Sequence, residues 1–306
     1  MKSLAFKLPG RRFVIGVPYT WLVVFFLLPF LILLYISFVD MGNDISPFKP
    51  LWNSETGLLQ LKYENYWSIF RAEDGSGSLF QTIYIEAYLR SIAYALATAL
   101  LCLLIGYPFS YFIARSPASV RPALLMMVML PFWTSFLLRV YAWKGILADQ
   151  GVINQVLLGL GLINEPIQML YTNVSMLVGM TYVYLPFMVL PLYANLVKMD
   201  FRLLEAAYDL GTTPFKAFWL VTVPLSKAGI IAGFMLVFIP CVGEFVIPSL
   251  LGGPENIMIG RVVWDEMFTS NNWPRASALA VVMIGLIVIP LAIYYHYTAE
   301  AAEPRH

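Results

Sequence analysis

The sequence predicts an all-α membrane protein of six spanning helices, and three observations carry that expectation. Of its 306 residues 60% are hydrophobic and only 12% charged, against about a quarter charged in soluble domains. Apolar runs of about 20 residues, the length that crosses a bilayer core as a helix, recur six times. None of them alternates as a barrel strand would, and inside lipid only helices and closed barrels satisfy their backbone.

The first run, about 14–39, follows a basic start of Lys2, Lys7, Arg11 and Arg12. It is too long for a signal-peptide core and has no small-residue cleavage site, so it reads as a retained helix that Pro18 and Pro29 bend. A polar outer loop, 40–88, comes next. Further runs occupy about 89–114, 124–143, 174–197, 230–251 and 276–297. The whole chain, 1–306, thus forms a single transmembrane domain. Between spans, 151–170 (GVINQVLLGLGLINEPIQML) is expected as a helix lying at the interface. The stretch 257–268, closed by Asn271, Asn272, Trp273 and Pro274, is expected as a short amphipathic helix.

Lys and Arg set the orientation, because they collect on the cytoplasmic side. Lys2, Lys7, Arg11, Arg12, Arg115, Arg121, Lys198, Arg202, Lys216, Lys227 and Arg305 fall on one side with both termini, against Asp200, Glu205, Asp209, Glu300 and Glu303. Both termini and the loop 198–227 are therefore cytoplasmic, and the outer face is acidic. An acidic face draws in cationic solutes, although positive-inside topology alone also produces one.

Cys102 and Cys241 lie in apolar runs without a neighbouring Cys or His and read as small core hydrophobes. His296 and His306 are too few for a histidine metal site. No catalytic triad and no GxxxxGK[ST] phosphate loop is present, so the chain is expected to be no enzyme and to bind neither metal nor nucleotide. The formal charge of +1 gives no hint of nucleic acid.

The loop 198–227 carries its own helix signals. Phe201, Leu204, Tyr208 and Leu210 recur at helical spacing among Arg202, Glu205 and Asp209. Gly211 is expected to end that helix in the left-handed conformation. Thr213 and Pro214 restart another as hydroxyl cap and first helical residue.

Within this loop EAAYDLGTTPFKAFWLVTVP, Glu205 to Pro224, resembles the EAA loop of ABC-importer permeases. Val221 and Val223 stand where Ile and Leu are usual. WTSFLLRVYAWKGIL (133–147), YLPFMVLPLYANL (184–196) and IPCVGEFVIPSLLGGPENIMIGRVVW (239–264) narrow the resemblance to polyamine-uptake permeases, over nearly the whole chain and nearest to the putrescine type, with spermidine or another cationic solute as the alternative. The resemblance implies the type I ABC-importer permease bundle (MetI-like) in a bacterial inner membrane. Its implied partners are a second homologous permease, two copies of an ATPase carrying ATP and Mg, and an external polyamine-binding protein. It also implies that Glu205, Ala206, Ala207, Asp209 and Gly211 couple the membrane part to that ATPase. A secondary transporter or channel is the rival of another class.

For the solute pathway the prime candidate is Glu244, an acidic side chain deep in a span. At fourteen residues past Ile230 it lies about 21 Å into a core of about 30 Å, where an ionisable group is costly and marks function. Arg139 reaches a similar depth, so two readings stand: a carboxylate for a substrate ammonium, or a buried ion pair with Arg139. Trp133, Tyr182, Tyr184 and Tyr94 are the candidate aromatic lining, by cation-π contact or as plain packing.

Overall fold

The computed structural model describes residues 11–43, 46–52, 60–71 and 83–302. Lys2, Lys7, Glu303, Arg305 and His306 lie outside them, as do 53–59 and 72–82 of the outer loop. In chain order, α1 (Arg11–Leu22) passes through a π turn (Val23–Leu27) into α2 (Leu28–Ser37). A small hairpin, β1 (Met41–Asn43) and β2 (Ser46–Phe48), and α3 (Glu64–Phe70) follow. Then come α4 (Ile83–Arg115), α5 (Arg121–Met129), α6 (Phe136–Leu147), α7 (Val152–Gly159) and α8 (Asn173–Leu196). After them lie α9 (Arg202–Asp209), α10 (Pro214–Ala217), α11 (Val223–Leu225), α12 (Lys227–Val242), α13 (Val246–Leu251), α14 (Ile259–Trp264) and α15 (Trp273–Ala302).

Among the described residues α1–α2, α4 and α8 are long and apolar enough to cross a bilayer, and two bent helix pairs raise this to five. The apolar part of α15, Trp273–Ile289, is shorter. Two of the expected runs are not straight helices. The run 124–143 breaks where a 3-10 turn, Leu130–Trp133, ends in extended Thr134, and the flanking helices meet at 87°. Pro131 lacks the N–H that would continue the ladder. The run 230–251 stops at Val242 and resumes at Val246. Elsewhere π turns sit just ahead of Pro29 and Pro224, where widening accommodates the missing donor.

Two compact units emerge. In the first, made of the N-terminal residues through the outer loop together with the chain from Val263 onward, α15 packs against α2 and α3. Ile36, Val39, Ile69, Ala278 and Leu279 are buried there, and the Ser37 and Tyr66 hydroxyls share a 2.6 Å hydrogen bond. In the second, residues 83–262, α4, α8 and α12 pack on one another. Their contact relies on small residues, as helix packing in lipid does. A Cβ on Gly233 would come within 2.7 Å of the Met188 sulfur, and Met188 is fully buried.

The stretch 151–170 is helical only through Gly159, because Gly161 takes a left-handed turn (φ 67°) and the chain then runs irregularly to Thr172. Asn154 replaces the missing ladder: its Nδ2 donates to the Ile167 carbonyl and its Oδ1 accepts from the Ile167 N–H, both at 2.9 Å. The helix expected over 257–268 occurs as α14 and the π turn Asp265–Thr269.

Candidate functional site

Two sites predicted from sequence lie in the second unit. The first is the helix-turn-helix 202–217. Its turn is made as local rules require, with Gly211 at φ 81° donating to the Tyr208 carbonyl at 2.8 Å. Thr213 Oγ1 then accepts from Lys216 N at 3.4 Å, with Pro214 opening α10. Leu204 is buried beneath α9, while Glu205, Ala206, Asp209 and Gly211 lie on the open surface and Ala207 at its edge. Leu210 departs from the expected apolar face: it stands past the helix end and is 87% exposed.

What fixes this element to the bundle is a stripe of α4 that sequence reading missed. Tyr107, Tyr111 and Arg115 recur at i, i+4 and i+8, the spacing of one helix face. Tyr107 shares a 2.7 Å hydrogen bond with Ser226, and its ring meets Phe218 edge-on at 5.3 Å. Tyr111 meets both Phe201 and Phe218, and the Arg115 guanidinium lies over the Tyr111 and Phe201 rings at 5.6 and 5.8 Å. Both arms of the loop thus rest on one helix. The spacing was the available signal; the partners, about 90 to 120 residues on, were not legible.

The second site is the break at Gly243–Phe245. Glu244 is 8% exposed, and both carboxylate oxygens are engaged. Its Oε1 accepts from the N–H groups of Phe245, Val246 and Ile247, at 3.1, 2.9 and 3.4 Å, and so caps α13. Its Oε2 accepts from the Tyr184 hydroxyl at 2.5 Å. Gly260 of α14 closes the other side, since a Cβ there would collide with the Gly243 and Glu244 carbonyls. Hydrogen bonds to a charged acceptor contribute about 1.5–3 kcal/mol each, which explains how a carboxylate is tolerated in this buried position.

The ion pair of Glu244 with Arg139 is not formed. The bend between α5 and α6 turns Arg139 back onto Phe132, with the guanidinium carbon 5.0 Å from the ring centroid. Its Nε and Nη1 are buried without a hydrogen-bond partner. Such an orphaned donor costs about 1–3 kcal/mol, whereas a cation-π contact returns about 0.5–2 kcal/mol. The guanidinium is therefore held by a ring face and not by an acceptor for these two nitrogens.

The candidate aromatics separate. Tyr184 joins a series, with Phe132 edge-on to Phe187 at 5.2 Å and Phe187 at 6.1 Å from Tyr184. This series runs from the Arg139 guanidinium to the Glu244 carboxylate. Tyr182, two residues from Tyr184 and so on the opposite helix face, meets Trp143 at 5.4 Å and lines an apolar groove of about 410 Å³. The Tyr94 hydroxyl lies within hydrogen-bond distance of the side-chain oxygens of Asn256 (2.8 Å) and Asn173 (3.0 Å), and it can donate to one of them at a time, beside the 252–258 loop. Trp133 is 80% exposed. Phe132 and Phe187 were absent from the sequence-derived candidates and stand in one ring series with Tyr184.

Comparison with known proteins agrees with this architecture. The family described as the inner membrane component of binding-protein-dependent transport systems matches residues 104–305. The spermidine/putrescine transport system permease protein PotB of Haemophilus influenzae is 35% identical over 93% of this chain and 93% of its own. Its counterpart in Escherichia coli K12 is 36% identical over 90% of this chain and 93% of its own. Among solved structures, a bacterial ABC transporter that imports the polysaccharide alginate covers 96% of this chain and 97% of its own, with TM-score 0.62 and 16% identity. The MetNI methionine ABC transporter covers 72% of this chain and 96% of its own, with TM-score 0.53 and 14% identity. At such identity the two structures speak for the fold alone.

Proposed function

The chain belongs to the binding-protein-dependent transport system inner membrane component family, and from that premise we propose that it is the permease subunit of an ATP-driven importer that carries putrescine. The observation that carries this reading is the 35% identity, along 93% of the chain, to a permease named for spermidine and putrescine. That name supports polyamines as a class and makes spermidine the second reading. ATP and Mg stay on a separate ATPase dimer, the membrane part is a heterodimer with a second homologous permease, and an external binding protein delivers the solute. An alginate importer of the same fold has been solved with its periplasmic protein, which supports that assembly.

In this reading the chain works by alternating access. The surface of Glu205, Ala206, Ala207, Asp209 and Gly211 sits in a groove of the ATPase, and closure of the ATPase dimer is passed through Tyr107, Tyr111 and Arg115 to α4. The cation follows the faces of Phe132, Phe187 and Tyr184, whose quadrupoles attract ammonium groups without binding them tightly. Glu244 ends that series. Its Oε2 keeps a free lone pair beside the Tyr184 bond, enough to accept one N–H from an ammonium.

Uptake of labelled putrescine and spermidine into proteoliposomes holding the complete complex tests the assignment. ATP-dependent putrescine uptake that exceeds spermidine uptake is the expected result. Spermidine preference installs the second reading, and uptake without the ATPase removes the importer mechanism.

A further inference from the structure

Arg139 is a full positive charge at the head of a series of rings that, in the polyamine reading on which this inference rests, exists to attract positive charge. Its guanidinium lies on Phe132, the first ring. At the far end Glu244 has no cationic partner among the described residues, and Oε2 keeps one lone pair beside the Tyr184 bond. Between them Phe132, Phe187 and Tyr184 are spaced at 5.2 and 6.1 Å. Opposite charges in an apolar interior attract strongly, yet these two are held apart by the bend in which residues 130–135 separate α5 from α6. Two buried guanidinium nitrogens are left without acceptors.

We infer that Arg139 is a tethered cation that competes with the substrate for the ring faces and carboxylate of the pathway, and so acts as its guard and specificity residue. With no substrate present it occupies Phe132 and keeps inorganic cations and stray amines off that ring. A polyamine, with two or more ammonium groups on a flexible chain, can take a ring face and the Glu244 lone pair together. A monoamine can take only one. During the cycle α6, which packs against α8 and α13, carries Arg139 with it. Each shift of the guanidinium toward Glu244 weakens the hold on the substrate and favours its release. Selection against single charges and release of double ones then come from the same side chain.

Two measurements on the purified complete complex test this: equilibrium binding of labelled putrescine, and turnover at saturating loaded binding protein. Arg139→Gln removes the competitor. Putrescine should then bind about ten-fold tighter, a shift of about 1.4 kcal/mol, turnover should fall about three-fold because release slows, and the monoamine butylamine should begin to compete. Arg139→Lys, which restores a cation, should bring binding and turnover to within about two-fold of the original. Should the Gln variant fail to assemble, Arg139→Met keeps the apolar stem against Phe132 and carries the same expectation. Unchanged or weaker putrescine binding in an assembled Gln or Met variant overturns the guard, leaving Arg139 as a staple of the bend. Glu244→Gln separates the two levels of the argument. If that variant binds putrescine normally, the pathway itself is misplaced; if it weakens binding while Arg139→Gln changes nothing, only the guard fails.

Discussion

The turn at 211–213 within the helix-turn-helix and the broken helix at 243–246 are both interruptions of helical structure, yet their own geometry is held in opposite ways. In the first, Gly211 and Thr213 bond to residues three positions away, Tyr208 and Lys216. In the second, Glu244 bonds locally through Oε1 but is fixed from outside by Tyr184, sixty residues earlier, and by the close approach of Gly260. The turn is built from local rules, as suits the constant partner surface proposed for it. The break is built from distant partners that can be exchanged, as suits the cation response proposed for it.

The largest expected effect attacks the local turn. Gly211→Pro forces φ from 81° to about −65° and deletes the N–H that bonds Tyr208, so uptake and stimulated ATPase activity should fall to background while the chain still inserts. Gly211→Ala meets no atom within 4 Å. It should therefore cost only backbone strain, about 1 kcal/mol, and leave most uptake intact. Equal loss in both variants would mean that contact at the turn, not its conformation, is what matters. Normal uptake by the Pro variant would remove the loop from coupling.

The next effect attacks the distant bond. Glu244→Ala orphans three N–H groups and the Tyr184 hydroxyl together, and the protein should lose about 3 kcal/mol or more of stability, read as reduced assembled complex. Glu244→Gln keeps an oxygen for the helix cap and loses the charge, so complex should largely survive while putrescine transport falls about ten-fold. Tyr184→Phe removes one hydrogen bond and keeps the ring. It should cost about 1 kcal/mol and change transport less than Glu244→Gln does. If the Gln variant instead loses assembly with uptake per complex unchanged, Glu244 is purely a cap and the contrast between the two breaks disappears.

This division also explains what could be read before the structure was known. Helix, Gly turn and capped restart were legible because every partner lies within a few residues. A count of 1.5 Å per residue treats each run as one straight helix, so it shows neither a bend nor direction around the bundle. The 87° bend that turns Arg139 away from Glu244 depends on Pro131 and extended Thr134 within a run whose composition is uniformly apolar. For the same reason Phe132, the neighbour of Trp133, was passed over, although its ring meets Phe187 at 5.2 Å. The stripe Tyr107, Tyr111 and Arg115 had helical spacing but no visible target until Phe201 and Phe218 were placed against it.

The smallest effect sharpens the contrast by separating distance in sequence from burial. Asp40 is also held by a remote partner, Lys62, at 2.7 Å, with Lys49 at 3.7 Å, but the pair is solvent-exposed. The Lys62 hydrogen bond is the main cause that holds the Asp40 carboxyl below the usual carboxylate range. A carboxyl whose pKa is lowered in the folded state adds stability that is present above its unfolded value of about 3.9, and that stability is lost as pH falls through the folded value. Solvent screening keeps this to about 0.5 kcal/mol or less. Asp40→Asn should therefore lower the unfolding temperature by about a degree at pH 7, since about 2–4 °C per kcal/mol holds for chains of roughly 150–250 residues and this chain is longer. The difference should vanish when both proteins are compared at a pH below the folded value. A loss at pH 7 as large as that of Glu244→Ala would show that remote pairing, rather than burial of the paired group, is what gives the membrane break its hold.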